Sequence, residues 1–172
     1  MNVARRADEL EPARRAVAIG TFDGVHLGHR QVIEAAQGPG LRQTVVTFDP
    51  HPRKVLGAPV QLLTTTERRL ELLAELGVED LLLLRFDEEL ASLEPEEFAE
   101  SVLRAAGAEI VAAGEGFRFG HGRSGDLDLL ERLGFDVRRV PIVENVSSSQ
   151  IRRLVASGDV GQAAQLLSLI HI

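Results

Sequence analysis

Short apolar runs alternate along the chain with stretches whose apolar residues recur every three or four positions. Arg15–Ile19 (RAVAI) is an apolar run ended by Gly20, which predicts a buried strand. Gln43–Phe48 (QTVVTF) is β-branched and predicts a second. Asp80–Phe86 (DLLLLRF), Glu109–Ala113 and Val137–Val143 predict a third, fourth and fifth. Between them, the pattern from Gly28 to Gln37 suits a helix stopped by Gly38 and Pro39. Thr64-Thr65-Thr66-Glu67 has the spacing of a capping box and opens an amphipathic helix that closes at Gly77. Pro95 starts a helix running through EEFAESVLRAA to Gly107. Gly114–Gly125 is a glycine-rich loop, followed by a short helix over Asp126–Leu133. Ser147-Ser148-Ser149 caps a helix through Ala156, and Val160–Leu167 forms the last one. Strands alternating with helices predict an open α/β domain, a parallel sheet covered on both faces. Such sheets bind ligands outside the carboxyl ends of their strands.

Composition narrows the class. At 172 residues with 44% hydrophobic content, the chain suits one folded domain and shows no internal repeat. No apolar run approaches the roughly 20 residues needed to cross a bilayer. The amino terminus, MNVARRADELEPARR, is polar and lacks the apolar region of a secretory signal, so cytoplasmic residence is the default. Zero cysteines exclude a disulfide framework and a thiolate metal site. A net charge of −7 argues against a general nucleic-acid binder, whereas a few local donors suffice for a phosphate ligand. With no tyrosine or tryptophan, stacking on an aromatic ligand falls to the seven phenylalanines, or to His and Arg. Nothing in the pattern sets the oligomeric state.

The strongest chemical signal is Gly20-Thr21-Phe22-Asp23-Gly24-Val25-His26-Leu27-Gly28-His29, between the first predicted strand and the first helix. A helix start offers unpaired N–H groups and partial positive charge, and Gly20, Gly24 and Gly28 let a ligand approach the backbone. An anionic phosphate chain is the natural guest. The alternative is local: both histidines cap or pack against the turn. No third ligand lies at a zinc-like spacing. The other candidates also have plain readings: the three serines as a helix start, Arg152 or Arg153 as a solvated face, and His51 as a turn residue between Pro50 and Pro52. Phe117 and Phe119 alternate like core strand residues.

Taken together, the motifs resemble the nucleotidyltransferase superfamily, and within it the FMN adenylyltransferase module of bacterial bifunctional FAD synthetases. GTFDGVHLGH matches that family's ATP-binding turn, and TFDPHP (Thr47 to Pro52) a second motif. RFDEELASLEPEEF (Arg85 to Phe98) resembles a third, and GEGFRFGHGRSG (Gly114 to Gly125) the flavin and phosphate loop. VSSSQIR (Val146 to Arg152) resembles the Ile-Ser-Ser-Thr-x-Ile-Arg signature. The similarity runs from about Ala16 to Leu167 and implies a Rossmann-like nucleotidyltransferase fold over 1–167. It implies transfer of AMP from ATP to FMN, giving FAD and pyrophosphate, with magnesium bridging the phosphates.

By resemblance, His26 and His29 contact the triphosphate and stabilise the transition state, while Arg152 with Ser147, Ser148 and Ser149 holds the β- and γ-phosphates. Gly20, Thr21, Phe22, Asp23 and Gly28 shape the nucleotide pocket, Asp23 as an adenosine-pocket or turn residue. Phe48, Pro50, His51, Pro52 and Phe119 neighbour the flavin. The chemistry fits independently: the flavin phosphate is already an anion, so in-line attack on the α-phosphorus needs positioning and cations rather than a strong base. No metal-ligand set is identified.

The chain departs from the family pattern in three places. Gly116 stands where the family commonly has Asp or Asn near the phosphates, and Ser149 replaces the signature's Thr. Members usually continue into a β-barrel riboflavin kinase domain, whereas this chain ends in the apolar tail 168–172. The kinase is therefore expected to be absent and FMN to be supplied. Two other functions stay open: a nucleotidyltransferase acting on pantetheine phosphate or glycerol phosphate, and a non-catalytic flavin or nucleotide binder.

Overall fold

The computed structural model describes residues 1–142 and 146–167. Val143, the end of the fifth predicted strand, and the tail 168–172 lie outside the described residues. Six parallel strands form one sheet: β1 (Asn2–Ala4), β2 (Arg15–Ile19), β3 (Arg42–Asp49), β4 (Asp80–Arg85), β5 (Ala108–Gly114) and β6 (Asp136–Val140). Their order is β1-β4-β3-β2-β5-β6. From β2 the chain winds outward through β3 and β4, then crosses back to place β5 on the other side of β2. The turns leaving β2 and β5 therefore diverge, and a crevice opens between them.

Both faces of the sheet are buried, which is why its strands read as nearly continuous apolar runs. Alternate residues Val17, Ile19, Val46, Leu82, Leu84 and Val111 pack on one side with Phe98, Val102, Leu103, Leu127 and Leu130. Ala16, Ala18, Val45, Leu81, Leu83 and Ala112 face the other side. There they meet Val32 and Ile33 of α1 (Leu27–Ala35) and Leu72 and Leu73 of α3 (Thr66–Glu75). The parallel α/β architecture expected from the sequence is thus the one observed.

Several local expectations are corrected. The predicted capping box gives way to a simple cap one residue later: Thr65 is the cap and its hydroxyl accepts from the Arg68 amide at 3.2 Å, with Arg68 rather than Glu67 three residues in. Thr64 is drawn away because its hydroxyl donates to the Asp23 carboxylate and accepts from the Gly24 amide. The predicted fifth strand ends at Val140, where Pro141 removes the next ladder donor. The helix from Pro95 forms α5 (Pro95–Phe98) and then widens into a π-helical turn over Ala99–Arg104, with the Ala105 amide bonded to the Glu100 carbonyl. Five short elements were not foreseen: β1, α2 (Pro52–Val55), α4 (Glu88–Ser92) and two 3-10 turns, Ala7–Glu9 and His121–Arg123. The remaining helices are α6 (Leu127–Arg132), α7 (Ser148–Ala156) and α8 (Val160–Leu166).

Opposite the crevice, the amino-terminal ends of the strands are tied by charge. Asp80 accepts from Arg15 at 3.1 Å, Arg42 at 2.9 Å and Asn2 at 3.1 Å. Burial by itself would raise the Asp80 carboxyl, but these three donors and the Arg42 charge outweigh it and hold the group below its ordinary value. The edge strand β1 depends on this knot, since two of its three residues are exposed. Asp80→Ala leaves the fully buried Arg15 uncompensated. We expect a loss of about 3–5 kcal/mol in urea unfolding; a change under about 1 kcal/mol would show that the knot does not stabilise the fold.

Candidate active site

The turn leaving β2 is shaped by residues that local preference alone would not put there. Phe22 (φ 51°) and Val25 (φ 43°) have left-handed backbones, a conformation costly for side chains with a Cβ and sustained only when the surroundings enforce it. The enforcement is a knot centred on Asp23, which is 2% exposed. Its carboxylate accepts the amides of Leu63 (3.0 Å) and Thr64 (3.1 Å), the Thr64 hydroxyl (3.2 Å) and the Arg152 guanidinium (2.5 Å). The Asp23 carbonyl accepts the Ser148 hydroxyl at 2.9 Å. The β2 turn, segment 61–64 and the start of α7 are thereby fastened together.

The knot leaves the two histidines side by side. Their rings stack with centroids 3.6 Å apart, and His26 Nδ1 accepts the His29 amide at 3.3 Å as the cap of α1. Gly28 lets them come this close: a Cβ there would sit 3.2 Å from the His26 ring, which would have to shift by a few tenths of an ångström to admit it. Phe22 is buried and meets the His29 ring edge-on at 5.2 Å. Burial, opposed by Asp23 and reinforced by Arg152, pushes the His26 imidazole down to about 4. Burial, His26 and Arg69 push His29 well below its ordinary value, and its Nδ1 is buried with no partner. Near neutral pH both rings are uncharged. His26, whose Nδ1 is an acceptor, carries its proton on Nε2.

The neighbouring β3 end supplies another wall. Its Asp49–Pro50 peptide is cis, and His51 caps α2 by accepting the Arg53 amide at 3.2 Å. Burial lowers the His51 imidazole as well. The loop after β5 folds back on itself through paired bonds between Phe119 and Gly125, pressed so closely on Pro95 that a Cβ at Gly120 or Gly125 would collide with it. Phe119 thereby stacks on Phe117 (5.8 Å) and packs against Phe98 (5.7 Å).

These walls enclose one cavity of about 610 Å³ at the switch point of the sheet, within the range of small-molecule and cofactor sites. Among the residues singled out from sequence, Gly20, Thr21, Phe22, His26, Gly28, His29, Phe48, His51, Pro52, Phe119, Ser148 and Arg152 lie on its wall. Asp23 lies behind the wall, Pro50 is exposed, and Ser147 caps α7 by accepting the Gln150 amide. Ser149 is exposed and away from the wall. Arg152 reaches the cavity while bonded to Asp23 and to the Gln61 carbonyl. The sequence reading missed Phe86, Phe98 and Leu90 on the wall, and Arg69 and Thr64 behind it. Only the phenylalanines carried a signal, being scarce aromatics in a chain without Tyr or Trp.

No carboxylate among the described residues lines this wall, and no group of three His, Asp or Glu among them could hold a metal. A protein-held magnesium therefore does not fit the described residues. At Gly116 the wall is open, with nothing within 4 Å of where a Cβ would stand. No helix among the described residues is long and apolar enough to cross a membrane.

Paired imidazoles and a helix start at the switch point of a doubly wound parallel sheet define an α/β protein with a ligand crevice outside the carboxyl ends of its strands. Residues 8–153 match the FAD synthetase family, and the chain belongs to it. It is 36% identical to the bifunctional riboflavin kinase/FMN adenylyltransferase of Listeria monocytogenes, over 93% of this chain and 55% of that protein. Among solved structures it matches a Streptococcus pneumoniae protein named a macrolide-efflux protein, with 31% identity and a TM-score of 0.84, over 97% of this chain and 61% of that one. The pantoate-β-alanine ligase of Francisella tularensis shares the fold, at 16% identity and a TM-score of 0.56, over 98% and 78% of the two chains. The chain spans about half the length of the curated relatives it first matches, 55% and 54%.

The depressed imidazoles make stability depend on pH with a definite sign. Between about 4 and 6.5 the unfolded chain binds a proton at His26 that the folded chain refuses, so stability rises with pH through that window. It is complete above 6.5 and lost as pH falls toward 4. His29 and His51 act in the same direction. We expect a lower urea midpoint at pH 5 than at pH 7. His26→Asn, which keeps a capping acceptor, should shallow the loss; an equal slope in that variant would remove His26 as a contributor.

Proposed function

We propose that the protein joins FMN to the AMP part of ATP, releasing FAD and pyrophosphate. The supporting observation is that one cavity runs from the paired imidazoles and the start of α1 to a lobe walled by Phe48, Phe86, Phe98, Phe117 and Phe119. The imidazole end suits a polyphosphate and the phenylalanine lobe suits an isoalloxazine, so the two substrates would meet between them. The same lobe is ill suited to the flexible polar chain of a pantetheine or glycerol phosphate.

In this reading the FMN phosphate oxygen attacks the α-phosphorus of ATP, the new P–O bond forms opposite the leaving oxygen, and pyrophosphate departs with the bonding pair. The nucleophile is already anionic, so the protein's work is alignment and charge stabilisation. His26 Nε2–H donates to the phosphate chain without the cost of desolvating an imidazolium. Incoming phosphates raise the affinity of both imidazoles for a proton, which strengthens their hydrogen bonds as charge builds. Arg152, at the end of the Asp23 knot, faces the departing phosphates, with Ser148 beside it. Ser147, Ser149 and Pro50 are assigned to shaping the backbone around the site. Magnesium enters as part of the Mg–ATP substrate. The site takes small molecules, and residence is cytoplasmic, where both substrates are found.

The test is incubation with FMN, Mg–ATP and the purified chain, with FAD followed chromatographically. His29→Ala should lower turnover about 10²–10³-fold. FAD formation by wild type with an unchanged rate in the variant would remove His29 from the mechanism, and no FAD would reject the activity. Tight FAD binding without pyrophosphate release would favour a non-catalytic binder. Because the metal travels with the nucleotide, Mn²⁺ should give no bound signal in electron paramagnetic resonance with the protein alone, and should give one once ATP is added. Stoichiometric Mn²⁺ retention without nucleotide would contradict this.

A further inference from the structure

Arg69, on α3, is 5% exposed, yet none of the ion pairs among the described residues includes it. Its Nη1 donates to the Thr21 carbonyl at 2.8 Å and its Nη2 to the Phe48 carbonyl at 2.9 Å, leaving Nε buried and unpartnered. Thr21 opens the turn that carries His26 and His29. Phe48 is the last residue but one of β3, just before the segment that carries His51 and Pro52. One rigid guanidinium fork thus spans the two halves of the cavity from behind. The Thr47 hydroxyl adds a bond to the same Thr21 carbonyl at 3.1 Å, and Thr66, one turn before Arg69, holds Asp49 at 2.8 Å.

Burying a guanidinium without a carboxylate partner is costly, and an apolar side chain would pack α3 against the sheet more cheaply. Burial is the main cause that lowers the Arg69 guanidinium, with the more distant Asp49 and Asp23 opposing it. The cation also presses on the rings above it. It adds to burial and His26 in depressing His29, and to burial, Arg152 and Arg53 in depressing His51, where Asp23 opposes.

We propose that Arg69 is a positioning residue for adenylyl transfer, its two carbonyl bonds setting the distance between the nucleotide turn and the flavin loop so that attacking oxygen and α-phosphorus align. The proposal rests on the activity proposed above. Arg69 does not line the cavity and acts from behind its wall. Each half-site keeps its own wall without it, and only their mutual placement is lost. Arg69→Met and Arg69→Gln should therefore lower kcat on the order of 10- to 100-fold while KM for ATP and for FMN each change less than about threefold. Arg69→Lys retains the charge but cannot reproduce the fork, so its kcat also falls. Proton NMR of the ligand-free protein separates the two contributions: His29 and His51 should titrate higher in the Met and Gln variants than in wild type, and stay low in the Lys variant.

A kcat within about twofold of wild type in the Met or Gln variant overturns the proposal, as does a rise in both KM values at unchanged kcat. Should the Met variant fail to fold, the Lys variant decides, and full turnover there overturns the proposal. Wild-type FAD formation is the control. Its absence rejects the activity itself, whereas wild-type turnover with normal variants rejects only the role of Arg69.

Discussion

A single buried carboxylate governs the geometry of the site. Asp23 lies in the turn that leaves β2, and its two oxygens collect donors from residues as far as 129 positions away in sequence. Without those bonds, nothing local would keep Phe22 and Val25 in left-handed backbones, because side chains with a Cβ lose energy there. The strained turn is what stacks His26 on His29 and starts α1 directly beneath them. The same carboxylate holds Arg152 at the cavity edge, so one interaction organises both the neutral and the cationic donors.

That arrangement is electrostatically two-sided. Asp23 supplies a negative charge that partly offsets burial at His26, while Arg152 opposes it, and burial outweighs both. The imidazoles consequently wait in the neutral form, able to donate N–H bonds without a desolvated positive charge. An anionic guest would reverse the balance and draw protons toward the rings. The site is therefore tuned to respond to its ligand rather than to the ambient pH above about 6.5.

Much of the sheet was legible because its signal is local: buried strands between helices must be apolar, and β2, β3, β4 and β5 are. The turn from Gly20 to His29 was legible because glycines and paired histidines at a strand-to-helix junction have few other uses. What stayed hidden depends on partners distant in sequence. β1 is three residues long and exists through β4 and Asp80, and Thr64 abandoned its expected cap for Asp23, 41 residues earlier. Arg69 looks like any polar residue on the amphipathic helix until α3 packs, when its side chain proves to be buried behind Thr21. Arg152 is the intermediate case. Its motif was recognisable, but its ion pair with Asp23 was not, since no spacing rule connects the two.

The chain as a whole carries 26 acidic and 19 basic residues, yet the described cavity wall contains Arg53, Arg118, Arg123 and Arg152 and no carboxylate. Such segregation opposes the overall charge and needs a physical use. In the proposed reaction two polyanions, a flavin monophosphate and a triphosphate, must approach within bonding distance, and in water their mutual repulsion would resist it. A wall of guanidiniums around a partly desolvated cavity weakens that repulsion more than the same charges would on an open surface. Arg118 is already engaged with Asp126 at 3.7 Å and Arg152 with Asp23, so neither stands as a bare charge on the cavity wall. The acidic excess of the chain as a whole then opposes non-specific association with other polyanions.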